Sequence, residues 1–350
     1  MDPERERHQA LCQAIATSYG LDPGDPAGEG PSARARRRLA DPGLGREAEA
    51  LCTDAERRGL GLLWREHPAW PRGLDAPPDP PWVLWCQGDE AVLDRDGLTV
   101  VGTRHPSAYG LHACDRFVEA ACAAGLAVWS GLARGIDGRA HEAALDCGGT
   151  AVAVLGSGLD HVYPEEHVGL ARRVVAGGGL LLSELPPAFR PVQYAFPRRN
   201  RLLAACTLGT LVVEAGLRSG TTITAELATG LGRSVWAVPG PWSSPTSAGC
   251  HALIRDGALL AEGPDGLLAE LGLAGARTPA ATLGRGSDEA RILAALDERP
   301  QRADALATRV GLGLDATLVL LDGLEGRGRI ERRAGGLWTP RAGAGRERRE

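Results

Sequence analysis

The sequence predicts an α/β fold, a doubly wound and mostly parallel sheet, followed by a small C-terminal winged-helix domain. Three observations predict it. Six apolar runs between residues 98 and 240 close as VVGTR, VWSGLARG, VAVLGSG, LLLSE, LVVEAG and VWAVPG. A segment of helical character usually follows each run, and the runs are unbroken rather than alternating, as in strands buried on both faces by crossover helices. Glycines gather where the runs end, which is where such sheets bind ligands.

In chain order, residues 5–18 are read as a short helix, and LDPGDPAGEGP with ARARRR as a poorly ordered link. Residues 46–66 have helical periodicity. The stretch HPAWPRGLDAPPDPPWVLWCQGD reads as extended chain against a domain edge, since proline fixes its backbone. The α/β body runs from about residue 97 to 272, and ARTPAATLGRGSDE is a linker by composition. Beyond it, DEARILAALDE, RADALATRVG and DATLVLLDGLEGRG have helical apolar spacing, and GRIERRAGGLWTP forms a hairpin closing on Trp338. Three helices and a ribbon are the winged-helix pattern. The expected divisions are a helical, partly disordered N-terminal region (1–60), the core (61–272), a linker (273–287), the winged unit (288–340) and a disordered tail (341–350).

The 350 residues suffice for two or three domains with a buried core. Eight cysteines, none in a C-x-x-C pair, imply reduced thiols. The charged start MDPERERHQA lacks the apolar centre of a signal peptide, and no run approaches the roughly 20 apolar residues of a membrane span, so a soluble cytoplasmic protein is expected. All 39 basic residues are arginine, which excludes a Walker A loop and a Schiff-base lysine. The net charge of −5 divides as −6 over residues 1–97, zero over 98–263 and +1 over 264–350, so local placement decides how anions are met.

Five segments carry candidate chemistry. In VVGTRHPSAYG, Gly102 permits a tight turn, Thr103 offers a hydroxyl and Arg104 stands where a guanidinium forks onto phosphate. In SGLARGIDGRAHEAAL, Gly131, Gly135 and Gly138 surround Arg134, with Ser130 beside them as a further binding candidate, Asp137 placed to cap the next helix and His141 read as a hydrogen-bonded packing residue. In AVLGSGLDHVYPEEH, Gly156, Ser157 and Gly158 form an anion nest, while His161, Glu165, Glu166 and His167 lack a metal-site order. SELPPAFRPVQYAFPRRNRLLAAC crowds Arg190, Arg198, Arg199 and Arg201 beside Phe189, Tyr194 and Phe196, a mixture suited to a nucleic-acid strand; the alternative is pairing with Glu184 or Glu214. LVVEAGLRSGTTITAELATGLG sets Ser219, Gly220, Thr221 and Thr222 at a helix N-terminus, a phosphate cup, with Glu214 and Glu226 the carboxylates that could serve a hydrolase.

In this order VGTRHPSAYG, SGLARGIDGRAHEAAL, AVLGSGLDHVYPEEH, LLSELPP, FPRRNRLLA, VVEAGLRSGTTITAELA, VWAVPG and GCHALIRDGALL resemble the DNA-processing protein A family, DprA or Smf, over about residues 64–262. The resemblance implies an extended Rossmann-like core that binds single-stranded DNA, helps load RecA recombinase during natural transformation, forms a homodimer, and performs no reaction and carries no cofactor or metal. It makes Arg104 the leading DNA contact, followed by the Gly131–Gly135 loop with Arg134, the Gly156–Gly158 turn, the FPRRNR arginines and the Ser219–Thr221 cup. Two departures stand out: residues 1–50 show no hairpin pattern of a helix-hairpin-helix module, and arginine replaces the lysines often found in the family's pocket. The runner-up is a nucleotide phosphoribohydrolase similar to the LOG enzymes, whose P-G-G-x-G-T-x-x-E signature LRSGTTITAE matches loosely. A third reading makes the winged unit, with Arg327, Arg329, Arg332 and Arg333 on its wing, the functional part.

Overall fold

The structure is a computed structural model describing residues 8, 11–12, 39–77, 79–217, 219–273 and 288–340. The expected helix at 5–18, the linker and the tail lie almost wholly outside them. The described residues form two compact units.

The larger unit is built on a nine-stranded sheet. Its central strands are β3 (Gly97–Val101), β4 (Ala127–Ser130), β5 (Ala151–Val154), β6 (Leu180–Ser183), β7 (Gly209–Val212) and β8 (Ser234–Ala237). These are the six apolar runs, and all but Ser234 of their residues are buried. Crossover helices join them: α2 (Ala108–Ala123), α3 (Ile136–Asp146), α4 (Val168–Ala176), α5 (Ala195–Cys206) and α6 (Gly220–Gly230). Thr99, polar within an apolar run, is accommodated by donating to the Leu203 carbonyl at 2.9 Å.

Strand order fixes where a ligand can sit. The chain passes outward from β3 through β4 and β5 to β6, then returns to place β7 on the other side of β3, all in parallel. Leu98 of β3 is in register with Val128 of β4 and Gly209 of β7. The turns leaving β3, β4 and β7 therefore diverge at one edge of the sheet, opening a crevice between them. Beyond β8 the chain continues through α7 (Ala248–Arg255) to the short edge strand β9 (Leu259–Leu260) and α8 (Pro264–Glu270).

The N-terminal side departs from the helical expectation for 46–66. Helix α1 (Leu44–Arg57) ends there, and residues 61–64 form β1 (Gly61–Trp64), antiparallel to β2 (Val83–Gly88). Strand β2 pairs in turn with β6, so the Trp/Pro segment supplies a strand of the sheet rather than an extended strap along it. The cause is burial: Leu62, Leu63, Val83, Leu84 and Trp85 all enter the core, and a β register shares that burial between two strands.

The smaller unit is winged-helix in form, with α9 (Asp288–Glu298), α10 (Ala303–Val310), α11 (Leu314–Gly326) and the antiparallel ribbon β10 (Ile330–Arg333) and β11 (Leu337–Pro340). Ile292, Leu296, Leu306, Leu321, Leu324, Ile330 and Trp338 form its core. Gln301 ties the ribbon to the helices, exchanging backbone hydrogen bonds with Trp338 at 3.1 and 2.8 Å and donating its side chain to the Ala295 carbonyl at 2.7 Å.

Candidate nucleic-acid interface

At the carboxyl ends of β3 and β4 lies a cleft of about 710 Å³. Gly102, Thr103 and Arg104 form one wall, Gly131 and Arg134 another, and Ser219, Gly220 and Thr221 at the start of α6 a third; Phe196 and Arg199 reach in from α5.

The β3 turn is held by its neighbours. The Thr103 amide donates to the Glu214 carbonyl beyond β7 at 2.7 Å, the Thr103 carbonyl accepts from the Ile136 amide at 3.1 Å, and the Thr221 hydroxyl donates to the Gly102 carbonyl at 3.0 Å. Gly135, at φ 77° and ψ −125°, is what allows this closeness, since a Cβ there would lie 2.3 Å from the Thr103 carbonyl oxygen. Arg104 projects from that turn, exposed, and pairs with no carboxylate among the described residues.

Arg199 behaves differently. It is buried, and its Nη1 donates to the carbonyls of Gly131, at 2.8 Å, and Val154. Burial lowers its pKa to about 10, against the pull of Asp137. Asp137 is the one carboxylate lining the cleft among the described residues. It lies in the first turn of α3 rather than at the cap, and accepts from the Gly131 amide at 3.1 Å. Desolvation holds its carboxyl above the usual range, opposed by Arg199 and by the backbone of Ala133, Gly131 and Gly102. His141, deeper in α3, is buried as expected, yet its ring nitrogens make no hydrogen bond of normal geometry among the described residues.

Several sequence-selected residues are committed elsewhere. Arg198 pairs with Glu184 at 3.0 Å and Asp79 at 3.0 Å, and Arg201 shares Glu184. Arg134 lines the cleft but forks onto Glu166 with two 2.7 Å hydrogen bonds. The Ser130 hydroxyl donates to the Val100 carbonyl at 2.6 Å inside the sheet. The Gly156–Ser157–Gly158 turn is no open nest: Gly156 backs the Phe196 ring, the Ser157 hydroxyl donates to the His161 carbonyl at 2.6 Å, and the Gly158 amide donates to the Phe189 carbonyl at 2.8 Å. Arg190 is exposed outside the cleft lining.

The structure adds Tyr163, whose ring lies 5.4 Å from that of Phe196 and lines the same cleft. The Ser219 hydroxyl, at the N-cap of α6, is enclosed with no partner among the described residues. Buried Glu214 accepts from the Thr246 hydroxyl at 2.9 Å, and Glu226 is exposed on α6; neither lines the cleft. No group of three His, Cys, Asp or Glu among the described residues could hold a metal ion, and no described helix is long and apolar enough to cross a membrane.

A family model described as DNA recombination-mediator protein A matches residues 61–272, and a DprA winged helix domain model matches residues 274–336. The chain is 41% identical over 336 residues to a DNA processing protein DprA of Mycobacterium tuberculosis, covering 87% of this chain and 84% of that protein. It is 43% identical over 220 residues to Protein Smf of Escherichia coli, covering 60% of this chain and 59% of that protein. The fold is similar to the crystal structure of DNA processing protein A from Streptococcus pneumoniae, with TM-score 0.60 and 32% identity over 75% of this chain and 96% of that one. It is also similar to DNA processing protein A from Helicobacter pylori, described for its single-stranded DNA binding mode, with TM-score 0.55 and 28% identity over 61% of this chain and 95% of that one. With the sheet, its strand-end turns and most of its length accounted for, this chain belongs to the DNA recombination-mediator protein A family.

Proposed function

We propose that the strand-end cleft binds single-stranded DNA through its phosphates, and that the protein acts as a non-catalytic mediator loading RecA recombinase onto that strand during natural transformation. The observation that carries the DNA reading is Arg104, an exposed guanidinium with no carboxylate partner among the described residues, in a cleft whose one described lining carboxylate is buried and hydrogen-bonded. Around it the enclosed Ser219 hydroxyl and the N-terminal amides of α6 favour a phosphate oxygen. Tyr163 and Phe196 offer faces on which bases stack without regard to sequence.

The single-stranded DNA binding named for the Helicobacter pylori relative supports the same substrate. The RecA role, a cytoplasmic location and a homodimer rest on family membership; for the homodimer, the half-exposed Leu259 and Leu260 of edge strand β9 offer a surface for self-pairing. Hydrolysis is not favoured, because Glu214 and Glu226 stand outside the cleft. The test is fluorescence anisotropy of a labelled mixed-sequence single strand and its duplex at two salt concentrations. Preference for the single strand that fades with salt supports the proposal; salt-insensitive or absent binding rejects it.

A further inference from the structure

We propose that Cys122 and Cys147 form a reversible disulfide when the protein meets a hydroperoxide, with Cys147 the attacking thiolate and Cys122 the resolving thiol. This site is independent of the cleft. Cys122 lies in the last turn of α2 and Cys147 caps the C-terminus of α3, so the two sulfurs come from neighbouring crossover helices. The Cys147 thiol donates to the Ala144 carbonyl at 3.3 Å, the same oxygen that a Cβ on Gly149 would approach to 3.2 Å. The chain between the helix end and β5 is shaped around them: a Cβ on Gly149 would fall 2.2 Å from the Cys122 sulfur, so glycine leaves that sulfur its place.

Access and reactivity divide between the two. Cys147 is exposed, while Cys122 is half-buried. The Cys147 thiol is lowered, chiefly by its interaction with Cys122, which favours the thiolate at the exposed sulfur. The Cys122 thiol is held up by the same interaction and by burial, as suits a group that reacts second. Cys86, Cys114, Cys206 and Cys250 are all pushed up by desolvation and stay inert. A low-pKa, accessible sulfur beside a second thiol is the arrangement that senses peroxide.

The chemistry balances. The Cys147 thiolate attacks one peroxide oxygen, the O–O bond breaks, and a sulfenic acid and hydroxide result. The Cys122 thiol then attacks the sulfenic sulfur, the S–S bond forms and water leaves. Two thiols lose two electrons and two protons, and hydrogen peroxide becomes two waters. Reduction by a dithiol reverses the step. The bond would staple the far ends of two helices whose near ends follow the Arg104 turn and carry Asp137.

The test treats the full chain with a small excess of hydrogen peroxide, blocks remaining thiols with N-ethylmaleimide and maps the peptides by mass spectrometry. Two of the eight thiols should be lost, in a single Cys122–Cys147 linked peptide that dithiothreitol releases. Closing a loop of about 25 residues should also raise the unfolding midpoint by roughly 5–10 °C. In Cys122→Ser, Cys147 should persist as a sulfenic acid trapped by dimedone. Eight alkylated thiols after peroxide, a wild-type Cys147 sulfenic acid that never links, or linked peptides scattered over other cysteines would each overturn the proposal.

Discussion

Arg199 and Asp137 hold the same residue from its two sides: the guanidinium donates to the Gly131 carbonyl at 2.8 Å, and the carboxylate accepts from the Gly131 amide at 3.1 Å. The pair fixes the loop that forms one wall of the cleft. Removing Arg199 leaves the Gly131 and Val154 carbonyls and a buried carboxylate without their cation. Arg199→Ala should therefore destabilise the larger unit by about 3–5 kcal/mol, the usual cost of stripping one member from a buried charged network. Urea unfolding followed by circular dichroism measures it, and a midpoint equal to wild type would mean the guanidinium does not hold this loop.

Arg104 should behave in the opposite way. It is exposed and unpaired among the described residues, so Arg104→Ala should leave the unfolding midpoint within about 0.5 kcal/mol of wild type. Affinity for a single strand should fall about tenfold, equally for all sequences, and the logarithmic salt slope should shrink by about 0.7. Anisotropy titrations of mixed, poly-dT and purine-rich strands at three salt concentrations read both numbers. An unchanged dissociation constant removes Arg104 from the site.

A third prediction concerns backbone geometry. Gly135 has positive φ and faces the Thr103 carbonyl at a distance no side chain tolerates. Gly135→Ala should cost about 2–4 kcal/mol and weaken DNA binding, because relief requires the Thr103–Arg104 turn to move. Gly148, with similar φ but open space around it, provides the control. Gly148→Ala should cost about 1 kcal/mol from conformation alone and leave affinity unchanged. Equal effects of the two substitutions would show that the close approach at Gly135 is unimportant.

These contrasts show what the sequence could reveal. Strands β3 to β8 were legible because each is an unbroken apolar run ending in small residues, and the winged unit because its helical spacing stops at Gly311 and Gly326. The turns at Gly102, Gly131 and Ser219 were legible for the same reason. What spacing could not supply was partnership. Arg198 and Arg201 look free in FPRRNR, but Glu184 lies beside them only once β6 and α5 are packed. Arg199 had a local signal: it falls three and four residues before Leu202 and Leu203, on the inward face of α5. The helical reading of 46–66 holds as far as Arg57 and fails at 61–64, because β1 finds its partner at residues 83–86, beyond any local pattern.

His141 should make stability depend on pH. Burial, then the charges of Arg199 and His167, lower its pKa from 6.5 to about 3, with only the Ser130 backbone opposing. A histidine depressed in the folded state binds its proton more tightly when unfolded. Its contribution is therefore present above pH 6.5 and is lost as pH falls toward 3. Between pH 7 and pH 5 the loss should be about 2 kcal/mol, and His141→Leu should flatten that part of the profile. Urea midpoints at half-unit pH steps test this, and an identical slope in wild type and variant would exclude His141 as its source.

The winged unit should contribute little to DNA affinity. A groove-reading helix presents donors and cations to base edges and phosphates. Helix α11, in the third-helix position, reads LDATLVLLDGLEG: it has no arginine, and it exposes Leu314, Asp315, Leu318, Asp322 and Glu325. Acids there repel a phosphate backbone rather than release its counterions. Three of the wing's four arginines are also engaged, Arg327 with Glu289, Arg333 with Glu331, and Arg332 over the Trp338 ring at 5.8 Å. A chain truncated after residue 273 should keep single-strand affinity within about twofold of the full chain and lose less than one unit of salt slope. A tenfold loss would place this unit on the DNA path and require the strand to displace those pairs.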